Sequence, residues 1–168
     1  MLTRRALLIC GSSASAMAAL PTSVWAGPAP TREAVASAMR QATRFMTEKV
    51  STNGGYVWSY LSDFSRRWGE MEATPSMIWT QAPGTPEMGQ VFLDAFRATG
   101  EDLYYDAAVK AADALIHGQH PSGGWNYVID FDGEASLRRW YETIGKNGWR
   151  LEEFQHYYGN ATFDDHAT

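Results

Sequence analysis

Gln119-His120-Pro121-Ser122-Gly123-Gly124-Trp125-Asn126-Tyr127 decides the fold reading, because it follows directly on a strongly helical segment. A looser copy stands upstream as Asn53-Gly54-Gly55-Tyr56-Val57-Trp58. A helix that ends twice in a Gly-Gly-aromatic loop suggests a helical repeat architecture that presents flat rings at one end. Such rings suit sugar faces or apolar ligands. A site built from loops at the ends of stacked helices is therefore expected, with Tyr56, Trp58, Trp125 and Tyr127 as its stacking residues; packing of the loops against the helix ends is the competing reading.

Working outward, the helices are legible from their spacing and caps. Thr31 is a plausible N-cap, and Val35, Ala38, Met39, Ala42, Phe45 and Met46 recur at helical spacing, which predicts a helix ending near Val50. A second helix is capped by Thr85, carries Pro86 and Glu87 in its first turn, buries Met88, Val91, Phe92, Ala95 and Phe96, and stops at Gly100. A third runs from about Asp102 to Gly118, with Tyr104, Ala107, Ala108, Ala111, Ala114 and Leu115 on one face. The connection between these two is so short that they must form an antiparallel hairpin. From Tyr56 to Ala82 the mixed aromatic, charged and turn-forming residues predict a long structured loop with room for a short β-hairpin. The segment from Ala135 to His156 is ambiguous, because Gly145, Asn147 and Gly148 break any long helix.

The first residues read as export rather than fold. Thr3-Arg4-Arg5-Ala6-Leu7-Leu8 runs into small and apolar residues as far as Leu20, and Val24-Trp25-Ala26 offers a small-x-small cleavage pattern. Residues 1–26 are thus expected to be a signal peptide of twin-arginine type or an ordinary secretory one, followed by a linker at 27–30, and the location is expected to be periplasmic or secreted. Cys10 is the only cysteine and lies within that signal, so the remainder is independent of disulfides. Without residues 1–26 the chain keeps 12 basic against 19 acidic residues. That balance argues against a general nucleic-acid binder and requires local arginines or a bridging cation before a polyanion can bind. No later segment is long and apolar enough to span a bilayer.

Helix, Gln-x-x-x-Gly-Gly-Trp, and then Tyr157-Tyr158-Gly159-Asn160-Ala161-Thr162-Phe163-Asp164-Asp165-His166-Ala167 together resemble polysaccharide lyase family ten, the pectic acid (pectate) lyases. The likeness spans roughly Thr31 to Thr168, and Trp79-Thr80-Gln81-Ala82-Pro83-Gly84-Thr85-Pro86 is similar to more distant pectate-lyase-like proteins. It implies an α/α-toroid built from helical hairpins, and β-elimination on polygalacturonate, an acidic polysaccharide, with calcium and an arginine base. The fold expected for 31–168 is therefore all-α, the incomplete N-terminal part of such a toroid with long aromatic loops. The resemblance also implies that an aspartate of Asp164-Asp165 helps bind calcium and the substrate carboxylate. Two departures stand out. Where the family usually carries a Thr-Ile-Asp-Asn motif, this chain reads Ala82-Pro83-Gly84-Thr85-Pro86, with no carboxylate before Glu87, and the arginine base is expected beyond Thr168. On this reading the 168-residue chain by itself lacks its base and does not turn over pectate.

The chemistry explains why those parts are needed. Removing the C5 proton of a uronate requires that the neighbouring carboxylate be neutralised, and a second basic group then takes the proton. Asp164 and Asp165 are the candidate metal ligands, although an Asp pair at a helix start also reads as a cap. Arg66 and Arg67 are the candidates for carboxylate pairing through their planar forks, although adjacent arginines also form solvated faces. Asp130-Phe131-Asp132-Gly133-Glu134 resembles a piece of a calcium loop without its later ligands. His117 and His120 have a spacing seen in metal sites, but Gly118 ends the helix between them and no third ligand is evident. His156 and His166 read as surface or hydrogen-bonding residues. Two other functions stay open: a non-catalytic glycan-binding toroid, favoured by the absent first acidic motif, and a terpene-cyclase-like α-barrel, because Gln119-x-x-x-Gly123-x-Trp125 matches the Gln-Trp repeat of those folds.

Overall fold

The computed structural model describes residues 29–145. The signal segment, Asp164, Asp165, His156 and His166 lie outside the described residues. The first helix, α1 (Arg32–Phe45), is continued by a π-helical turn over Met46–Val50, which closes with Ser51 N–H donating to Met46 O at 2.9 Å. The helical run thus ends at Val50, as its periodicity predicts. Its apolar stripe is only partly covered: Val35 and Phe45 are 43% and 50% exposed, while Thr43 is the buried residue. Arg40 holds α1 in place by donating to Glu33 on the same helix (2.8 Å) and to Glu101 beyond the second helix (3.0 Å).

The helical hairpin follows the expected limits. Helix α2 (Thr85–Thr99) and helix α3 (Asp102–His117) are joined by Gly100 and Glu101, and Gly100 takes the left-handed conformation (φ 72°) that ends α2 with a 2.7 Å bond to Phe96 O. The alanine face of α3 is buried together with Tyr104, at Ala107, Ala111 and Ala114. Small side chains there let the helices approach closely: a Cβ at Gly89 would stand 3.3 Å from that of Ala111. Thr85 does not cap α2; Gly84 holds that place. The Thr85 side chain turns inward, where its hydroxyl accepts from Tyr56 N–H (3.0 Å) and donates to Tyr56 O (3.2 Å). A residue that reads as a local cap is in fact a clamp on a loop 29 positions away.

The expectation of an all-α, incomplete α/α-toroid is overturned. Among the described residues four α-helices are combined with five short strands in two antiparallel sheets. Strands β1 (Ser59–Tyr60), β2 (Arg67–Trp68) and β3 (Glu72–Ala73) form a meander, so the segment read as a loop with a hairpin holds three strands. The second sheet pairs β4 (Met77–Trp79) with β5 (Val128–Asp130), in the register Met77 to Asp130, Ile78 to Ile129 and Trp79 to Val128. On its other edge β4 is met by the first Gly-Gly loop, where Trp79 N–H donates to Tyr56 O at 2.9 Å. The two loop copies therefore flank one strand instead of presenting rings at a common surface. In the first loop a glycine is required by this approach, since a Cβ on Gly55 would run into the Ile78 side chain; Gly118, just before the second loop, likewise leaves room for the Ile129 side chain. Strands of two or three residues, with β4 and β5 buried throughout, show no alternation, which is why periodicity misses them.

Helix α4 (Glu134–Trp140) and a second π-helical turn (Tyr141–Gly145) close the described part. Trp140 donates its indole N–H to Glu72 O at 2.8 Å and meets Trp79 edge-on at 6.1 Å, while Trp58 meets Trp79 from another side at 5.9 Å. Trp79 is fully buried at this junction, and edge-to-face pairs of this kind each add about 0.5–1.5 kcal/mol beyond their area. No helix among the described residues is long and apolar enough to cross a membrane.

Two measurements test this account. Thr85→Val keeps the shape but removes both bonds to Tyr56 and leaves its N–H buried and unpaired, while its carbonyl keeps the bond from Trp79 N–H; chemical denaturation should show a loss of about 1–3 kcal/mol. An unchanged midpoint would mean that the clamp is not needed. Burial, and after it the neighbouring Tyr60 hydroxyl, pushes the Tyr56 phenol from its ordinary 10.0 up to about 12. The fold thus favours the neutral phenol, so its stability is intact below pH 10 and falls as the pH rises to about 12. Tyr56→Phe should flatten that alkaline limb by about 2 kcal/mol in pH-dependent denaturation.

Candidate functional site

The loop that follows α3 turns tightly, with His120 N–H donating to Gly124 O (2.9 Å) and Gly123 N–H to His120 O (2.8 Å), before it enters β5. Strand β5 ends on Asp130, and a further turn closes with Gly133 N–H donating to Asp130 O at 3.1 Å. Gly133 takes φ 90° and ψ 179°, a conformation side-chain-bearing residues rarely adopt, and Glu134 then opens α4. Between these pieces lies a cleft of about 430 Å3, lined by His117, His120, Asn126, Asp130, Glu134 and Leu137 among others. Its volume suits a small organic ligand.

Asp130 is the distinctive group of the cleft. It is only 6% exposed, one carboxylate oxygen accepts from Asp132 N–H at 3.0 Å, and the other has no hydrogen-bond partner among the described residues. A buried carboxylate oxygen without a donor is costly. His117 sits at the rim, stacked on Phe131 with ring centroids 4.7 Å apart and planes 14° apart. Asn126 is buried and its carbonyl accepts from the Thr80 hydroxyl at 2.7 Å, which ties the cleft wall to β4. The acidic turn and the histidine pair, two separate weak signals in the sequence, are thus parts of one cleft. Asn126 was hidden inside the aromatic loop motif, and Leu137 gave no signal as a site residue.

The expected binding residues do not converge in this way. Tyr56 and Tyr127 are 2% and 8% exposed and pack into the core, so neither ring offers a face to a sugar. Trp58 is half-buried, with its indole N–H donating to Gln81 O at 3.2 Å. Trp125 is half-buried too; it donates to Leu115 O at 2.8 Å and packs beside Ile129, whose strand forms the cleft wall. Arg66 makes two 2.7 Å bonds to the Glu72 carboxylate and lies 4.9 Å from the Trp68 ring centre, and these bonds hold the Glu72 carboxyl below its usual range. Arg67 donates to the Thr52 hydroxyl (2.7 Å) and Pro75 O (3.1 Å) and lies over Tyr60. Both guanidinium groups are thus engaged within the meander, away from the cleft lining.

The calcium that the family resemblance implies is assigned to Asp164 and Asp165, which lie outside the described residues. Among the described residues no group of three or more His, Cys, Asp or Glu side chains is placed to hold a metal ion. The cleft offers two carboxylates beside two imidazoles, whereas calcium takes six to eight oxygens. No family model, no curated protein and no solved structure matches the chain. The family resemblance therefore rests on the motifs alone.

Asp130→Asn should raise the melting temperature by about 2–6 °C, because it replaces the buried carboxylate oxygen that lacks a donor while keeping the oxygen that accepts from Asp132. A fall of that size in calorimetry would mean that the second carboxylate oxygen is satisfied in the free protein.

Proposed function

We propose that this protein acts on polysaccharide outside the cytoplasm, as a pectate-lyase-like protein that binds glycan at the cleft formed by His117, His120, Asp130 and Glu134. The observation that carries the reading is a cleft of sugar-binding size, about 430 Å3, whose lining combines carboxylate, imidazole and amide residues with apolar ones and includes His120 and Asn126 of the Gln119–Tyr127 motif on which the resemblance rests. Sugars bind proteins through hydroxyls given to carboxylates and amides while ring faces lie on apolar or aromatic surface, and the cleft supplies Asp130, Glu134 and Leu137 for those roles. The activity proposed for a form that also carries an arginine base is calcium-assisted β-elimination on polygalacturonate, with Asp164 and Asp165 on the metal side. The leading signal is proposed to direct the protein through the export machinery to the periplasm or the exterior.

A second reading, glycan binding without turnover, draws on a specific feature: neither Arg nor Lys lines the cleft. No guanidinium stands there to take a C5 proton or to pair a uronate carboxylate. The two readings separate in one assay. The 168-residue chain is incubated with polygalacturonate, with calcium or with a chelator, and unsaturated uronides are followed by their ultraviolet absorbance, while retardation in glycan-loaded gels reports binding. Retardation without unsaturated product is the expected outcome for this chain. Product formed only with calcium would establish the lyase in the chain as it stands, and the absence of both product and retardation would overturn the glycan reading.

A further inference from the structure

We infer that this protein associates head to tail, the outer face of α3 in one copy packing into the groove between α1 and α2 of a second copy. Two apolar faces left open on the same chain, beside charges of opposite sign, carry the inference. It stands apart from the glycan cleft, none of whose lining residues it uses.

Helix α3 is apolar on two sides. Tyr104, Ala107, Ala111 and Ala114 are buried, and Tyr105, Val109, Ala112 and Ile116 form a second stripe that is exposed along its whole length. Steps of four, three and four residues are the spacing of a seam between two helices. Phe96 of α2 widens the stripe, its ring centroid 5.2 Å from that of Tyr105. A hairpin needs one apolar face from each helix, so the second face of α3 suits a further helical surface.

The groove supplies that surface. It encloses about 200 Å3 and is lined by Met39, Ala42, Met46, Met88, Val91 and Ala95 among others. Three methionines let it adapt to the side chains of an incoming helix. The charges match as well. Arg32–Val50 holds four Lys or Arg against two Glu, whereas Asp102–His117 holds three Asp against one Lys. Asp102, Asp106 and Asp113 fall at helical spacing along one edge of the exposed stripe, and Arg32, Arg44 and Lys49 are exposed on α1 and its π-helical turn. None of these six forms an ion pair among the described residues. An antiparallel pairing of α3 with α3 across a two-fold axis would set the aspartate edges against each other, whereas α1 offers them cations. A head-to-tail contact leaves one free face at each end, so association continues past two copies.

Sedimentation of the 168-residue chain at rising concentration tests this, and the expected result is a mass that grows beyond two chains. Ile116→Lys on the stripe and Val91→Glu in the groove alter positions that are 66% and 52% exposed, so each variant should keep its melting temperature while staying monomeric. Mixed together, the two variants should form a one-to-one pair and nothing larger, because the first keeps its groove and the second its stripe. Asp106→Lys combined with Asp113→Lys should weaken association at least about fivefold in low salt. A wild-type chain that stays monomeric, or that stops at a dimer, would overturn the proposal. Association that survives either single variant, or a mixture of folded variants that stays unpaired, would overturn it equally.

Discussion

Strand β4 is the constraint on which the rest depends. Met77, Ile78 and Trp79 are all fully buried, and a buried strand must have its backbone groups bonded on both edges. One edge is met by β5 and the other by the loop at Tyr56, whose own backbone is clamped by Thr85 at the start of α2. Three sequence-distant segments are thereby tied to three residues. The side chains of β4 enforce the same closure, since Ile78 needs a glycine at 55 and Trp79 sits between Trp58 and Trp140. The helical hairpin is a scaffold that carries two loops to this strand.

That arrangement explains which parts of the fold were legible. Helices α2 and α3 announce themselves because their signals are local: Pro86 and Glu87 at one start, Gly100 at one end, and alanines at helical spacing. Strands β4 and β5 are specified by partners about fifty residues apart, and neither is long enough to show a period. Thr85 illustrates the same limit from the other side. Its place before Pro86 has the look of a cap, but the buried backbone of Tyr56 competes for the hydroxyl and wins, because an unpaired buried amide costs more than an open helix start that solvent or Gly84 can serve.

The site was legible in pieces and not as a whole. His117 and His120 looked like half of a metal site, and the acidic run after Ile129 looked like half of a calcium loop. What joins them is the path of β5, which carries the chain from the Gly-Gly turn to Asp130 and so brings the end of α3 and the start of α4 to the same cleft. The aromatic residues mislead for a related reason. A ring in a Gly-Gly loop serves stacking on a ligand or packing on the strand that the loop approaches, and the sequence around Tyr56 and Tyr127 is the same in either case. The need of β4 for cover on both edges decides for packing.

A division of labour follows from these placements. The rings that attract attention in the sequence stabilise the junction around Trp79, and the arginines that suit a uronate are engaged by Glu72 of the meander and by Thr52 and Pro75 outside its strands. Among the buried polar groups left without a hydrogen bond is one oxygen of Asp130, the last residue of β5. Its backbone is paired opposite Met77, a fully buried residue, so the place of Asp130 is set by the β4–β5 ladder. The same pairing that makes the core therefore places Asp130 in the lining of the cleft. Preorganisation of this kind comes from the fold itself.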